Sequence, residues 1–398
     1  MARVAGIGVT VLLSAFGAAL GYAEYQIDRR YDVARPAIER ATSPPQLARG
    51  ELLFRAACAG CHAGEHGDPR PLGRRIADVP AMLGRFYSRN LTADPRSGVG
   101  AVRDEDLARA IRFGVRRDDH LMVVMPRFGK MGDDDVAAII GFMRSGARDF
   151  EPDPTLPPPT RMSVVGKLVL VYVVGVKPGG AATGIPVPPA EATARYGRYV
   201  ADAVYQCGYC HTPGFDGSKG DEPGVYSGGF ELRGPDGQPV LSSNLTPDRT
   251  GIGAWSLADF ERAVRDGIRP DGSIVRGPMP RLRTLDDLEV AAVFTYLRTL
   301  PPIVHAVARP PGVPSSEEPA RLFRDLGCAS CHGPGAPFHD RLRQTRDQPV
   351  AEIASWIRNP ERVRPGTQMP TYAAVLDERR ATVLAGWVKN ESSKEPAR

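Results

Sequence analysis

The six cysteines constrain this 398-residue chain more than any other feature, because they fall into three copies of one short pattern. The copies are Cys58-Ala-Gly-Cys61-His62, Cys207-Gly-Tyr-Cys210-His211 and Cys328-Ala-Ser-Cys331-His332. On a helix, each copy places two thiols about one turn apart, with an imidazole directly after the second thiol. Because the three copies use every cysteine, the chemistry of this pattern is expected in triplicate.

The spacing C-x-x-C-H is the one required for covalent attachment of heme c. The two thiols can reach the two vinyl groups on one porphyrin edge, and the histidine can reach the iron. We therefore predict three covalently attached hemes c. The predicted thioether residues are Cys58, Cys61, Cys207, Cys210, Cys328 and Cys331, and the predicted iron ligands are His62, His211 and His332.

Three other uses of paired cysteines are less consistent with the sequence. A zinc site would bring two pairs together, but these pairs lie about 150 and 120 residues apart. A dithiol redox centre is typical of a βαβ context, and no such pattern is visible. Disulfides closed over two residues would constrain almost nothing.

The first two parts of the chain repeat each other. Asn90-Leu-Thr-Ala-Asp aligns with Asn244-Leu-Thr-Pro-Asp, and Gly98-Val-Gly-Ala aligns with Gly251-Ile-Gly-Ala. The separation from the asparagine to a later methionine is 35 residues in both copies, Met125 and Met279. This similarity indicates duplication of a whole domain rather than a short solenoid repeat.

A methionine followed by proline occurs once after each cysteine motif. Proline cannot continue a helix and favours an extended loop, which can hold a thioether toward iron. A lone methionine more often packs in a core, but three share this context, so we predict Met125, Met279 and Met369 as the second axial ligands. Met122 is the rival in the first repeat, but it aligns with Val275, which favours Met125.

The remaining histidines have no repeated counterpart and are expected at the surface or beside the sites rather than on iron. They are His66, His120, His305 and His339.

Proline-rich stretches divide the chain, since they favour extended spacers. We predict three heme domains, at residues 45–150, 190–304 and 316–392, joined by linkers at 151–189 and 305–315. Helical patterns precede each cysteine motif and end each domain, and the ones that end the domains begin near the acidic residues Asp133, Asp287 and Glu378. No sustained strand alternation is visible. The expected fold class is therefore all-α with long loops.

Two apolar segments lie outside the predicted domains. Residues 4–23 lack charge and end in small residues. We therefore predict that residues 1–23 are a cleaved signal peptide or a retained signal anchor, which would associate with the membrane through residues 4–23. A buried helix is the alternative. Residues 162–176 have strand propensity but no partner strand. We expect a helix there, packed on a heme domain or forming a docking surface.

The charge composition excludes one class of partner. The chain has 51 basic and 46 acidic residues, a formal net charge of +5, and no basic run interleaved with aromatic residues. A composition with nearly equal numbers of basic and acidic residues does not indicate nucleic-acid binding.

At these motifs the sequence resembles c-type cytochromes, with three segments similar to class I heme domains. The first two resemble the duplicated domains in the cytochrome subunit of membrane-bound periplasmic alcohol and gluconate dehydrogenases, where N-L-T-P-D, G-I-G and M-P recur. The first departs from that pattern at Ala93 and Val102. The third has Trp356-Ile-Arg-Asn-Pro and Pro365-Gly-Thr-Gln-Met-Pro.

The resemblance implies a non-catalytic, exported triheme electron carrier in the periplasm or on the periplasmic face of the inner membrane. Its partners would be redox proteins: a dehydrogenase subunit and a quinone-linked or oxidase complex. A stand-alone or anchored carrier for a respiratory or photosynthetic complex is the first alternative. A heme peroxidase is the second, but an enzyme needs an open iron position, which three Met-Pro loops disfavour.

Overall fold

The computed structural model describes residues 2–65, 68–76, 79–175, 177–179, 184–214, 224–234, 238–308, 316–334, 336, 338–364, 367 and 369–394. The chain divides into two compact units, Met1–Pro188 and Pro189–Arg398. The first unit contains one cysteine motif and the second contains two. The described residues are rich in helix, as expected, with two small antiparallel sheets that the sequence did not predict.

The first unit is built mainly from helices. They are α1 (Ala2–Asp28), α2 (Pro44–Ala57), α3 (Ala59–His62), α4 (Asp104–Phe113), α5 (Asp133–Met143) and α6 (Val164–Val169). Two 3₁₀ turns lie at Ala81–Leu83 and Arg148–Phe150. Strands β1 (Gly84–Arg85) and β2 (Arg161–Met162) pair with Gly84 opposite Met162.

The second unit repeats the order of the four helices α2 to α5 in α7 to α10 and adds a further group of helices. Its helices are α7 (Ala194–Tyr199), α8 (Cys207–His211), α9 (Leu257–Arg265), α10 (Asp287–Leu297), α11 (Pro319–Asp325), α12 (Cys328–His332), α13 (Val350–Arg358), α14 (Pro360–Val363) and α15 (Glu378–Lys394). A π-helical turn at Val200–Val204 extends α7, and a 3₁₀ segment spans His339–Thr345. Strands β3 (Glu231–Arg233) and β4 (Pro239–Leu241) form a hairpin with Leu232 opposite Val240.

The acidic residues that predicted helix starts lie where expected. Helix α5 begins at Asp133, and α15 begins at Glu378. Helix α10 has a capping box, in which the Asp286 side chain accepts from the Glu289 N–H and Glu289 reaches back to the cap. Such caps satisfy backbone donors that have no partner within the helix, so they define where each helix begins.

Each repeat is closed by a crossing of its first and last helices at a glycine. In the first unit α2 packs on α5, and a Cβ on Gly50 would overlap the carbonyl oxygen of Ala138. In the second unit α7 packs on α10, and a Cβ on Gly197 would overlap the carbonyl oxygen of Ala292. Only glycine allows two helix backbones to approach so closely.

The duplication extends to individual backbone hydrogen bonds. Met122 N–H donates to Gly114 O over 2.7 Å, and Val275 N–H donates to Gly267 O over 2.8 Å. Both glycines adopt positive φ, at 67° and 79°. The loops that lead to Met125 and Met279 therefore begin in the same way, which confirms the alignment of Met122 with Val275. The second loop has one more residue before its methionine.

The third segment packs around α15. Leu322, Phe323, Ile353 and Leu384 belong to one buried cluster there. Ile268 and Ile274 of the preceding segment belong to the same cluster. The second and third segments therefore share a hydrophobic core, although the sequence places a linker between them.

Most of the apolar segment 162–176 is helical, as predicted, over α6 and a π-helical turn at Leu170–Val174. The expectation of no partner strand is wrong at Met162, which lies in β2 and pairs with Gly84 of β1. Val176 lies outside the described residues. The segment packs on α1, because Tyr172 Oη donates to Ala19 O over 2.9 Å and Lys167 pairs with Glu24. Val173 of this turn is 77% exposed, so part of the segment is not covered by α1.

Helix α1 extends through Asp28, beyond the predicted 1–23 segment. Its C-terminal part is packed, with Ala23 and Ile27 buried, whereas Ile7, Val11 and Leu12 are exposed. Among the described residues, no helix combines the length and apolarity needed to cross a bilayer.

The helix crossing leads to a stability prediction. We expect Gly197→Ala to lower the free energy of unfolding by about 1–3 kcal/mol, because the added methyl group forces α7 away from Ala292. Chemical denaturation followed by circular dichroism measures this change. The matched control is Gly386→Ala in α15, where a Cβ meets nothing within 4 Å and stability should rise by about 0.5–1 kcal/mol. Equal effects of the two substitutions would contradict the crossing.

Candidate functional site

Each cysteine motif forms a short helix directly after a longer one. Cys58 ends α2, with its N–H donating to Phe54 O over 2.9 Å, and also precedes α3. The other two motifs form α8 and α12 in the same way, after the helices that begin at Ala194 and Pro319. One turn thus separates the two cysteines of each pair, and none of the six forms a disulfide.

Each motif histidine is oriented by a backbone carbonyl. The Nδ1 atom lies 2.8 Å from Arg89 O in His62, 2.8 Å from Ser243 O in His211 and 3.0 Å from Phe338 O in His332. Since a carbonyl only accepts, Nδ1 carries the proton and Nε2 keeps its lone pair. This is the arrangement that a metal-bound histidine requires.

Burial also favours the neutral form of these imidazoles. It lowers the pKa of His62, His211 and His332 below the ordinary value, although the carbonyl contact partly opposes the shift. Each group loses a proton more readily than a solvated histidine. A neutral imidazole is the form that binds a metal ion, so the three residues are suited to ligation at neutral pH.

The asparagine of the repeated motif fixes the carbonyl that the histidine meets. Asn90 directly follows Arg89, and its Nδ2 donates to Asp153 O over 2.8 Å and to Thr155 O over 2.9 Å. Its Oδ1 accepts from Thr92 N–H over 2.8 Å. This buried side chain therefore holds its own turn against the end of the segment.

Asn244 makes the corresponding contacts in the second segment. It donates to Ile303 O over 2.9 Å and accepts from Thr246 N–H over 2.9 Å. The repeat Asn-Leu-Thr was visible in the sequence, but its role in holding a histidine acceptor was not. The signal was present, because a polar residue repeated at equal spacing implies a shared structural task.

The thiols do not resemble those of a reactive dithiol. Burial raises the pKa of Cys58, Cys207 and Cys328 to about 12. Redox-active C-x-x-C cysteines show the opposite shift. Among the described residues, which include every cysteine, no three His, Cys, Asp or Glu side chains converge as metal ligands.

The three predicted methionines lie in half-buried turns. Met125 and Met279 follow equivalent hairpin-like loops, closed by the bridges Val115–Leu121 and Ile268–Ile274. Met369 and Cys328 both pack against the same buried cluster of the third segment. Pro365, Gly366 and Gln368 of that loop lie outside the described residues.

An apolar cavity of about 300 Å³ opens beside His332. Phe323, Leu342, Trp387 and Val388 contribute to its lining. His339, Glu391 and Ser392 add polar groups to the lining. The cavity therefore places a largely apolar space next to the motif histidine.

The other described histidines contact backbone or carboxylate oxygens. Nδ1 of His305 lies 2.9 Å from Ser227 O, and Nδ1 of His339 lies 2.9 Å from His332 O. His120 lies 3.4 Å from an oxygen of Asp118. His66 lies outside the described residues.

The buried asparagine can be tested by substitution. Asn244→Ala leaves Ile303 O and Thr246 N–H without their partner, which costs about 1–3 kcal/mol of unfolding free energy. Calorimetric melting of the full protein measures the loss, and Asn90→Ala should have a similar effect. Asn390→Ala, at an exposed position of α15, is the control and should change little. A full-sized effect of the control, or none at Asn244, would overturn this role.

Comparison with known proteins supports the cytochrome character of the site. Residues 45–143 match the sequence model of the family described as cytochrome c oxidase, cbb3-type, subunit III. This range begins within α2 and ends with α5. The match therefore covers the segment enclosed by the first helix crossing.

Several proteins are similar to a larger part of the chain. The cytochrome c subunit of alcohol dehydrogenase (quinone) from Gluconobacter oxydans is 28% identical over 273 residues, covering 65% of this chain and 55% of that protein. The gluconate 2-dehydrogenase cytochrome c subunit of Pantoea cypripedii is 28% identical, covering 64% and 59%. A diheme cytochrome c-type protein of Cereibacter sphaeroides is 27% identical, covering 65% and 87%.

The chain thus spans little more than half the length of the two dehydrogenase subunits. The sequence match agrees with the geometry of the first motif, where two cysteines and an oriented histidine lie on one short helix. Residues 45–143 are therefore a cytochrome c domain, in a chain similar to the cytochrome c subunits of dehydrogenases.

Proposed function

We propose that this chain is an electron-transfer protein with three covalently attached hemes c, one for each of three tandem class I-like domains. The observation that carries the proposal is the identical state of three motif histidines. Each has Nδ1 against a backbone carbonyl and Nε2 free, next to a pair of cysteines one turn apart. A single such site could serve a local structural purpose, but three on one chain suit a relay.

The residues that would hold the hemes follow from the motifs. Cys58 and Cys61, Cys207 and Cys210, and Cys328 and Cys331 would form the thioether bonds. His62 with Met125, His211 with Met279 and His332 with Met369 would be the axial pairs. Heme c supplies reversible one-electron chemistry at iron, and a thioether ligand favours the reduced state and raises the potential.

The protein's own contribution would be orientation and exclusion. The carbonyl contacts fix the rotation of each imidazole, and the apolar side chains beside His332 would limit the access of water to a heme bound there. With histidine and methionine on both axial positions, no position remains for a substrate. We therefore assign the chain electron transfer and no catalysis of its own.

We propose a dehydrogenase as the electron donor, with the chain as its cytochrome subunit. Two of the relatives are named as subunits of alcohol and gluconate dehydrogenases, which supports this choice. A quinone-linked or oxidase complex would be the acceptor. The periplasm, or the periplasmic face of the inner membrane, is the proposed location, since heme c domains are assembled outside the cytoplasm.

A stand-alone carrier is the second candidate. It is favoured by the similarity to the diheme protein, of which the match covers 87%. Co-purification distinguishes the two candidates. A dehydrogenase subunit should remain bound to its flavin- or quinone-containing partner through gentle membrane extraction, and a free carrier should not.

The heme number can be counted directly. The intact mass of the mature protein should exceed that of its polypeptide by about three hemes. Three double variants test the assignment: Cys58→Ala with Cys61→Ala, Cys207→Ala with Cys210→Ala, and Cys328→Ala with Cys331→Ala. Each should carry two hemes. A wild-type protein with one heme or none would refute the proposal.

The axial methionines have a distinct spectroscopic and redox signature. Met125→His and Met279→His should each lower one of three reduction potentials, since imidazole favours ferric iron more than a thioether does. Each should also weaken the sulfur-to-iron absorption band of the oxidised protein by about a third. Redox titration followed optically measures both effects. Met122→Leu is the matched control for Met125, and a lost band in this variant would reverse the assignment.

A further inference from the structure

The second and third segments meet along the loop that carries Met279. Residues Ile268 and Ile274, just before this loop, lie in the buried cluster of the third segment. Arg276 approaches Gly327, the residue before Cys328, with its Nε 4.0 Å from the position that a Cβ would occupy. The methionine loop of one segment thus packs beside the cysteine motif of the next.

Arg283, four residues after Met279, forms hydrogen bonds with the loop of the third segment that carries Met369. Nη1 of Arg283 donates to Thr367 O, and Nη2 lies 3.5 Å from Met369 O and 3.3 Å from Thr371 Oγ1. The Glu361 carboxylate, 3.4 Å from Nη1, balances the charge. The Arg283 side chain is 17% exposed, so the guanidinium lies within the seam between the segments.

The repeat shows that the duplicated domain itself does not require this arginine. Met279-Pro280-Arg281-Leu282-Arg283 aligns with Met125-Pro126-Arg127-Phe128-Gly129. The alignment holds in the structure, because Leu282 N–H donates to Val264 O and Phe128 N–H donates to Ile111 O, both over 2.9 Å. Glycine stands at the equivalent place in the first unit, so Arg283 serves the third segment rather than its own.

The guanidinium is well suited to this task. It is planar, permanently charged and able to donate in several directions at once. By bonding to Thr367 O, Met369 O and Thr371 Oγ1, it limits the rotation and displacement of the Met369 backbone. Two of these three acceptors are main-chain atoms, which cannot be lost through side-chain motion.

We propose that Arg283 is the positioning residue for the third iron site: from the second segment it holds the loop that presents Met369 as an axial ligand. This inference rests on the proposed function, because it presupposes heme c at the third motif. It makes the second and third sites a mechanically coupled pair. Disturbing the loop of the second site then alters ligation at the third.

The test uses the full-length protein with its hemes and begins with intact mass. Arg283→Gln should retain three hemes, whereas a wild-type protein without three would defeat the proposed function instead. One of the three reduction potentials should fall, and the sulfur-to-iron band should weaken by up to about a third, because Met369 leaves iron in part of the molecules. The reduced variant should also bind carbon monoxide at one heme, unlike the wild type.

Two further variants make the result specific. Arg283→Lys keeps the charge but cannot bond to both sides of Met369, so it should shift the same potential by a smaller amount. Arg298→Gln removes an exposed arginine of the second segment that bonds within that segment, to Gly253 O, and should leave all potentials unchanged.

Three results would contradict the positioning role of Arg283. If Arg283→Gln keeps three hemes with unchanged potentials, band and carbon monoxide binding, Arg283 does not position Met369. If Arg298→Gln gives the same shift, the effect is one of net charge alone. If Arg283→Gln loses a heme, the reduction potentials of Arg283→Lys become the test. Unchanged potentials in Arg283→Lys would also refute the inference.

Discussion

The close approach of two helix backbones at a glycine is the constraint on which each repeat depends. At Gly50 and Gly197, the helix that leads to a cysteine motif crosses the helix that follows a methionine loop. This crossing joins the two ends of a segment whose middle is mostly loop. The loops can then be long and irregular, because the helices rather than the loops determine where the segment closes.

The two units use this plan differently. The first has one crossing and is complemented by α1, which pairs with α6 through Glu24 and Lys167 and with the following π-helical turn through Ala19 and Tyr172. The second combines a repeat with a third segment, whose core also contains Ile268 and Ile274. Duplication supplied the first two segments, and the third shares the cysteine motif while its remaining helices have a different order. The motif is thus compatible with more than one surrounding framework.

Much of this organisation could be predicted from the sequence, because its signals were local or repeated. The helices before the motifs, the acidic helix starts at Asp133 and Asp287 and the helix over 164–174 all depend on nearby residues. The equivalence of Met125 and Met279 follows from equal spacing, which duplication preserves. The cysteine motifs needed only their own five residues.

The features that could not be predicted from the sequence depend on contacts between residues that are far apart in the chain. Asn90 meets backbone atoms of Asp153 and Thr155, and no local pattern reveals which carbonyl a buried asparagine will find. Gly50 lies within a helix, and no local pattern reveals that the backbone of Ala138 will lie against it. The core that the last two segments share could not be predicted either, because the prolines between these segments indicate a spacer.

The acceptor beside each histidine is a main-chain oxygen, and this has a consequence for how the sites can diverge. No substitution at the accepting residue removes that oxygen, so its side chain is free to change. The first site has an exposed arginine there, Arg89, and the second has Ser243. A full positive charge can therefore be added or removed at the residue that accepts from one imidazole, without loosening that imidazole. Duplicated sites of this kind can acquire different electrostatic environments through single surface mutations, while their internal geometry stays the same.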